Sequence, residues 1–139
     1  MLSTLSIVSR LPYDPPMTIT GTDFVCVPTQ DFEASVKFYE EVLGLPRRKQ
    51  WGQLPGMEFQ AGNLTLAIMD PTAFGLEFQP HGLPIAFQVP DVEAERERLQ
   101  SHGVEFRGDL IDSGVCIQAF FTDPDGNALG LHHRYVPEQ

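Results

Sequence analysis

Little sulfur, little positive charge and no long apolar run set the first limits on this chain of 139 residues. Its two cysteines, Cys26 and Cys116, lie far apart in apolar stretches, and neither belongs to a CxxC pair. Two thiols so placed make no disulfide framework, and both are expected as buried, free, inert groups in a reducing compartment. No segment approaches the ~20 consecutive apolar residues of a spanning helix. The opening MLSTLSIVSRLPYDPP lacks the basic head and long apolar stretch of a secretory signal. A cytoplasmic protein with no membrane partner is the expectation. Nine Lys and Arg stand against nineteen Asp and Glu, a net charge of −10. That field repels phosphate backbones and argues against nucleic acid as a partner. It would draw cationic ligands, although many proteins are acidic for solubility alone.

What is present describes a folded chain of short elements. An apolar fraction of 42% with 20% charge supports a core and excludes disorder as the main state. Twelve Gly and twelve Pro fall between apolar segments rather than in one linker. Thr22–Val27 reads as a strand. Asp31 is a natural N-cap for a helix carrying Phe32, Val36, Tyr39 and Leu43 at helical spacing, with Gly44 where the helix should stop. Strands follow at Arg47–Trp51, Met57–Ala61 and Leu64–Met69, the last two joined at Gly62-Asn63. The order then returns: a strand over Ile85–Val89, a helix from Asp91 to Leu99 stopping at Gly103, and strands at Val104–Ile111, Val115–Phe121 and Leu129–His133. Matching Val27-Pro28 to Val89-Pro90 and Asp31 to Asp91 gives an offset of about sixty residues, with Thr29 and Gln30 as two extra residues in the first copy. Two tandem βαβββ modules are expected, about 18–80 and 81–135, within one domain over 18–139. Residues 1–17 are expected as a flexible extension. The fold class is α+β, with a curved mixed sheet around a cavity.

Asp23-Phe24-Val25-Cys26-Val27-Pro28, then Asp31 to Tyr39 and Val42-Leu43-Gly44-Leu45, resembles the vicinal oxygen chelate superfamily, which includes glyoxalase I, bleomycin-resistance proteins and extradiol dioxygenases. Ile85-Ala86-Phe87-Gln88-Val89 and Phe120-Phe121-Thr122-Asp123-Pro124-Asp125-Gly126-Asn127 agree in the second half. The resemblance implies homodimerisation and, in enzymes of the family, a divalent metal held by His and Glu. Aligned on the motifs, the four ligand positions are Phe24, Ala67, Pro84 and Gly130, none of which offers a side-chain lone pair. No metal and no other cofactor is expected. His132 and His133 are adjacent in a strand and point to opposite faces, so they cannot grip one ion together.

Strand alternation gives the rest of the site. Val25, Val27, Leu64, Leu66 and Ile68 suit the helix side, which leaves Phe24, Cys26, Glu58, Gln60, Thr65, Ala67 and Met69 on the cavity side of the first module. Ala86, Gln88, Gly130 and His132 take that face in the second, and small Ala67 and Gly130 are expected to leave room there. Such a lining suits a small organic ligand, cationic or aromatic. Glu58 and His132 are candidate catalytic groups for proton transfer. The competing readings are a solvated Glu58 or its salt bridge to Arg47 or Arg48, and a hydrogen-bonded His132 at a strand end. Trp51 covers the pocket mouth or a dimer contact, and the Asp70–Leu83 connection is long enough to act as a lid. The expected function is a metal-independent binding protein that sequesters a toxic or antibiotic compound. A metal-independent lyase or isomerase using Glu58 and His132, and a non-catalytic dimeric scaffold, are the alternatives.

Overall fold

The computed structural model describes residues 18–138, so the expected extension lies outside the described residues. Two four-stranded mixed sheets carry the fold. In the first, β1 (Val25–Pro28), β2 (Arg47–Gln50), β3 (Gly56–Ala61) and β4 (Leu64–Met69) stand in the order β1-β4-β3-β2. In the second, β5 (Ile85–Gln88), β6 (Ile111–Asp112), β7 (Cys116–Thr122) and β8 (Ala128–Arg134) stand in the order β5-β8-β7-β6. Helices α1 (Phe32–Lys37) and α2 (Val92–Ser101) begin alike: the Asp31 and Asp91 carboxylates accept from the amides of Ala34 and Ala94. Gly44 and Gly103 follow the helices at φ +75° and +88°, a conformation that costs glycine least.

Three sequence expectations change. The first helix does not run as one α-helix to Leu43; past Lys37 it widens into a π-helical turn, Phe38–Val42, closed by Leu43 N–H donating to the Phe38 carbonyl. Within that turn the neighbours Phe38 and Tyr39 are both buried. The proposed two-residue insertion is also absent. Thr29 N–H donates to Met69 O and Val89 N–H to His132 O, so Thr29 and Val89 are equivalent and the copies align without a gap from there to the caps Asp31 and Asp91. The strand expected over Val104–Ile111 shrinks to β6 and one isolated bridge, Phe106 with Phe121. Gly108, at φ +75°, bends the intervening chain out of an extended path.

The halves meet through their helix-bearing faces. One apolar cluster contains Val27, Tyr39, Phe59, Leu66 and Ile68 from the first half with Leu99, Phe121, Leu129 and Leu131 from the second. A buried polar clamp crosses the same junction. Tyr39 Oη donates to Asp123 Oδ2 at 2.7 Å, and Asn127 Nδ2 donates to that oxygen and to the Pro28 carbonyl, each at 2.8 Å. Asp123 Oδ1 accepts from the amides of Asp125 and Asn127.

Burial, with the Asp123 charge beside it, holds the Tyr39 phenol well above the ordinary tyrosine range. Below about pH 10 this phenol is protonated both folded and unfolded. Above that pH the unfolded chain loses the proton and the folded chain keeps it. Stability therefore falls as pH rises past 10, by up to ~1.4 kcal/mol per pH unit from this group. Chemical denaturation from pH 8 to 11.5 is expected to show a steeper alkaline loss in the native protein than in Tyr39→Phe. Equal slopes would remove Tyr39 as the cause.

Candidate functional site

Helix coverage of one face leaves the other face of each sheet open. On the first sheet, pairing places Cys26, Ala67, Glu58 and Lys49 in one row across β1, β4, β3 and β2. The next row brings Thr65 beside Gln60, and the preceding one Pro28, Met69 and Gly56. Gln60 beside Thr65 and Glu58 beside Ala67 are the pairs expected from the Gly62-Asn63 hairpin.

An aromatic run lies on this face. Gly56 has no side chain, and the Trp51 indole packs directly onto its Cα, where an added Cβ would fall 2.5 Å from Cδ2. The Trp51 ring centroid is 5.4 Å from that of Phe24 and 6.0 Å from that of Phe74. Phe24 sits on the β1 side and Trp51 packs on Gly56 of β3, so the two rings meet across β4, the strand between them. Phe24 itself is 42% exposed and Phe74 40%. The indole Nε1 donates to Glu58 Oε2 at 2.9 Å. Glu58 thus takes Trp51 as partner, whereas Arg47 pairs with Glu40 on the helix side. Trp51 belongs to the sheet face, and Phe74, from the turn after β4, reaches it there.

A β-bulge adds positive charge to the same face. The β2–β3 register shifts between Arg47 and Lys49, so strict alternation fails at Arg48. Lys49 pairs with Glu58, while Arg48 reaches the same face, its Nη1 donating to Gln60 Oε1 at 3.4 Å and Thr65 Oγ1 at 3.2 Å. Both cations therefore join Glu58, and this face does not share the acidic sign of the whole chain. Parity alone, applied without the bulge, misses Arg48.

On the second sheet, Ala86, Gly130 and Phe120 share one row, and Gln88, His132 and Gln118 the next. Gly130 does not leave open space: the Phe120 ring lies 3.0 Å from where its Cβ would stand. Phe120 was readable by parity, since Phe121 is in the core. Ala86 and Gln88 are exposed on the edge strand β5.

The lining expected from parity is not brought into one cavity of the chain. Glu58 and His132 stand on different sheets, and no hydrogen bond joins their side chains among the described residues. A cleft of about 630 Å³ between the halves contains Ala86 and Gln88 but is walled by Leu43, Leu45, Leu64 and Phe87. The other expected residues lie on the open faces outside it. Cys116 is buried as expected, but Cys26 is exposed because the helix covers the other side of β1; partial desolvation still raises its thiol above the usual range, which keeps it protonated and poorly nucleophilic near neutrality. At the corners that the family resemblance assigns to a metal, Ala67 is fully buried and offers no donor atom, and Gly130 lies under Phe120. Among the described residues no three His, Cys, Asp or Glu side chains gather as a ligand set. These residues do not fit a divalent metal.

Comparison with known proteins agrees with this architecture. Residues 21–131 match the model of the Glyoxalase/Bleomycin resistance protein/Dioxygenase superfamily. The chain is similar to TnmS3, an antibiotic binding protein from Streptomyces sp. CB03234, at 28% identity and a TM-score of 0.71, covering 86% of this chain and 99% of that one. It shares the fold of a Glyoxalase/bleomycin resistance protein/dioxygenase superfamily member from Sphaerobacter thermophilus, at 20% identity and a TM-score of 0.73 over 85% of this chain and 100% of that one. The uncharacterized protein YurT of Bacillus subtilis (strain 168) is 28% identical over 114 residues, which cover 73% of this chain and 90% of YurT.

Proposed function

The chain belongs to the glyoxalase/bleomycin resistance protein/dioxygenase superfamily, and from that premise we propose that it is a cytoplasmic small-molecule-binding protein that sequesters a toxic or antibiotic compound without a metal. The observation that carries this reading is the aromatic run of exposed Phe24, half-buried Trp51 and exposed Phe74, with Glu58 fixed at its edge by the indole. Such rings gain by covering their faces with a planar ligand, and the carboxylate orients it. The likeness to an antibiotic binding protein points the same way. The proposed pocket needs a second copy. With the halves packed through their helix-bearing faces, each open sheet lacks a facing wall, and β1 and β5 are both sheet edges. A homodimer would supply the wall. The lyase or isomerase reading has less support, because Glu58 already accepts a hydrogen bond from the indole N–H and His132 lies on the other sheet.

Native mass spectrometry of freshly purified protein, joined to a thermal-shift screen, tests this proposal. The expected result is a dimer mass with no retained transition metal, and a melting temperature raised by planar aromatic compounds. One equivalent of bound Zn, Ni, Fe or Mn, with EDTA abolishing ligand binding, would overturn it, as would a screen in which no small molecule raises the melting temperature.

A further inference from the structure

We infer that the ligand of this face is a planar aromatic molecule bearing an anionic group, with Arg48 and Lys49 as its receptors. This rests on the reading that the Trp51 face binds a planar molecule, and adds the sign of its charge. Three observations carry it. The bulge in β2 puts two consecutive cations on one face, where regular pleating would put one. Bulges beside binding sites re-aim side chains in this way. The Arg48 guanidinium is also held in place by neutral acceptors. Gln60 Nε2 donates to the Gly62 carbonyl, Thr65 Oγ1 donates to Gln60 Oε1, and both oxygens accept from Arg48 Nη1. Finally, Arg48 is not neutralised: among the described residues the ion pairs are Arg47–Glu40 and Arg98–Glu95. Its Nε and Nη2 have no protein partner there, leaving a fork suited to a carboxylate or another planar anion. Gly56, under the indole, and Gln60, beside Arg48, are four residues apart on β3. The strand rise makes the gap ~13 Å, a span for an extended ring system with its anion at the far end.

The probes are the carboxylate, aminomethyl and hydroxymethyl derivatives of anthracene, titrated against the emission of Trp51, the chain's one tryptophan. The carboxylate is expected to bind about tenfold tighter than the other two, with the preference shrinking as salt is added. Arg48→Gln is expected to remove most of that preference and leave the neutral hydroxymethyl compound unchanged; Lys49→Gln should remove a smaller part. Melting curves confirm that both variants fold. If the neutral compound binds and the carboxylate binds no tighter, or the ammonium binds best, the inference fails and the binding reading stands. If Arg48→Gln leaves the preference intact, the inference also fails. If none of the three quenches Trp51, the binding reading of this face falls, and the inference with it.

Discussion

Asp123→Ala is expected to lower the free energy of unfolding by about 3–5 kcal/mol, the largest effect of any single side-chain truncation described here. Asp123 is 4% exposed, and its two oxygens accept from Tyr39 Oη, Asn127 Nδ2 and the amides of Asp125 and Asn127. Truncation strands the Tyr39 hydroxyl and the Asn127 amide, both on fully buried residues, and each unsatisfied group costs roughly 1–3 kcal/mol before relaxation. The loss reaches across the molecule because Tyr39 belongs to the first half and Asp123 to the second. Asp123→Asn keeps one acceptor oxygen and is expected to cost less. Urea denaturation followed by far-ultraviolet circular dichroism measures both, with the midpoint falling and the slope unchanged. A loss below 1 kcal/mol for Asp123→Ala would mean that the clamp does not hold the halves together.

The second large effect is on binding. Gly56→Ala is expected to weaken a stacked ligand at least about tenfold, equivalent to ~1.4 kcal/mol. The new methyl would overlap the indole of Trp51, and neither side yields easily. The Trp51 amide is bonded to the Gly56 carbonyl at 2.9 Å, and the Gly56 amide to the Leu54 carbonyl at 2.8 Å, so the backbone is fixed by the tight loop. The ring must swing away, breaking its 2.9 Å bond to Glu58 and its contacts with Phe24 and Phe74. Trp51 emission should shift to the red as the indole meets water. Overpacking costs here run to roughly 1–3 kcal/mol, so the fold should survive. Gly82→Ala is the control, since nothing lies within 4 Å of its added Cβ. Unaltered emission and affinity in Gly56→Ala would show that Trp51 is not part of the binding surface.

Much of the sheet architecture could be read from local pattern. Leu64–Met69 forms β4, and the Gly62-Asn63 turn sets Gln60 against Thr65 and Glu58 against Ala67, because a short hairpin fixes register and register fixes faces. Alternation likewise placed Val27, Leu66 and Ile68 in the core, whereas Val25, expected on the same side, is exposed at the start of the edge strand β1. Departures from regular geometry were not readable. A bulge at Arg48 and a π-turn at Phe38–Val42 depend on packing partners distant in sequence, and neither leaves a distinctive local residue signature. The fate of Trp51 turned on Gly56, a residue that reads equally well as a turn. Apparent room at Gly130 was a similar matter, since a missing side chain says nothing about whether a neighbouring ring moves in.

The packing of the two halves has an evolutionary consequence. Here the junction uses only the helix-bearing sides, through Tyr39, Asp123 and Asn127, and points the outer surfaces apart. Each copy's outer surface could therefore drift under separate selection. One is ring-rich around Trp51, and the other carries the amides and imidazole of Gln88, Gln118 and His132 on the same strand order.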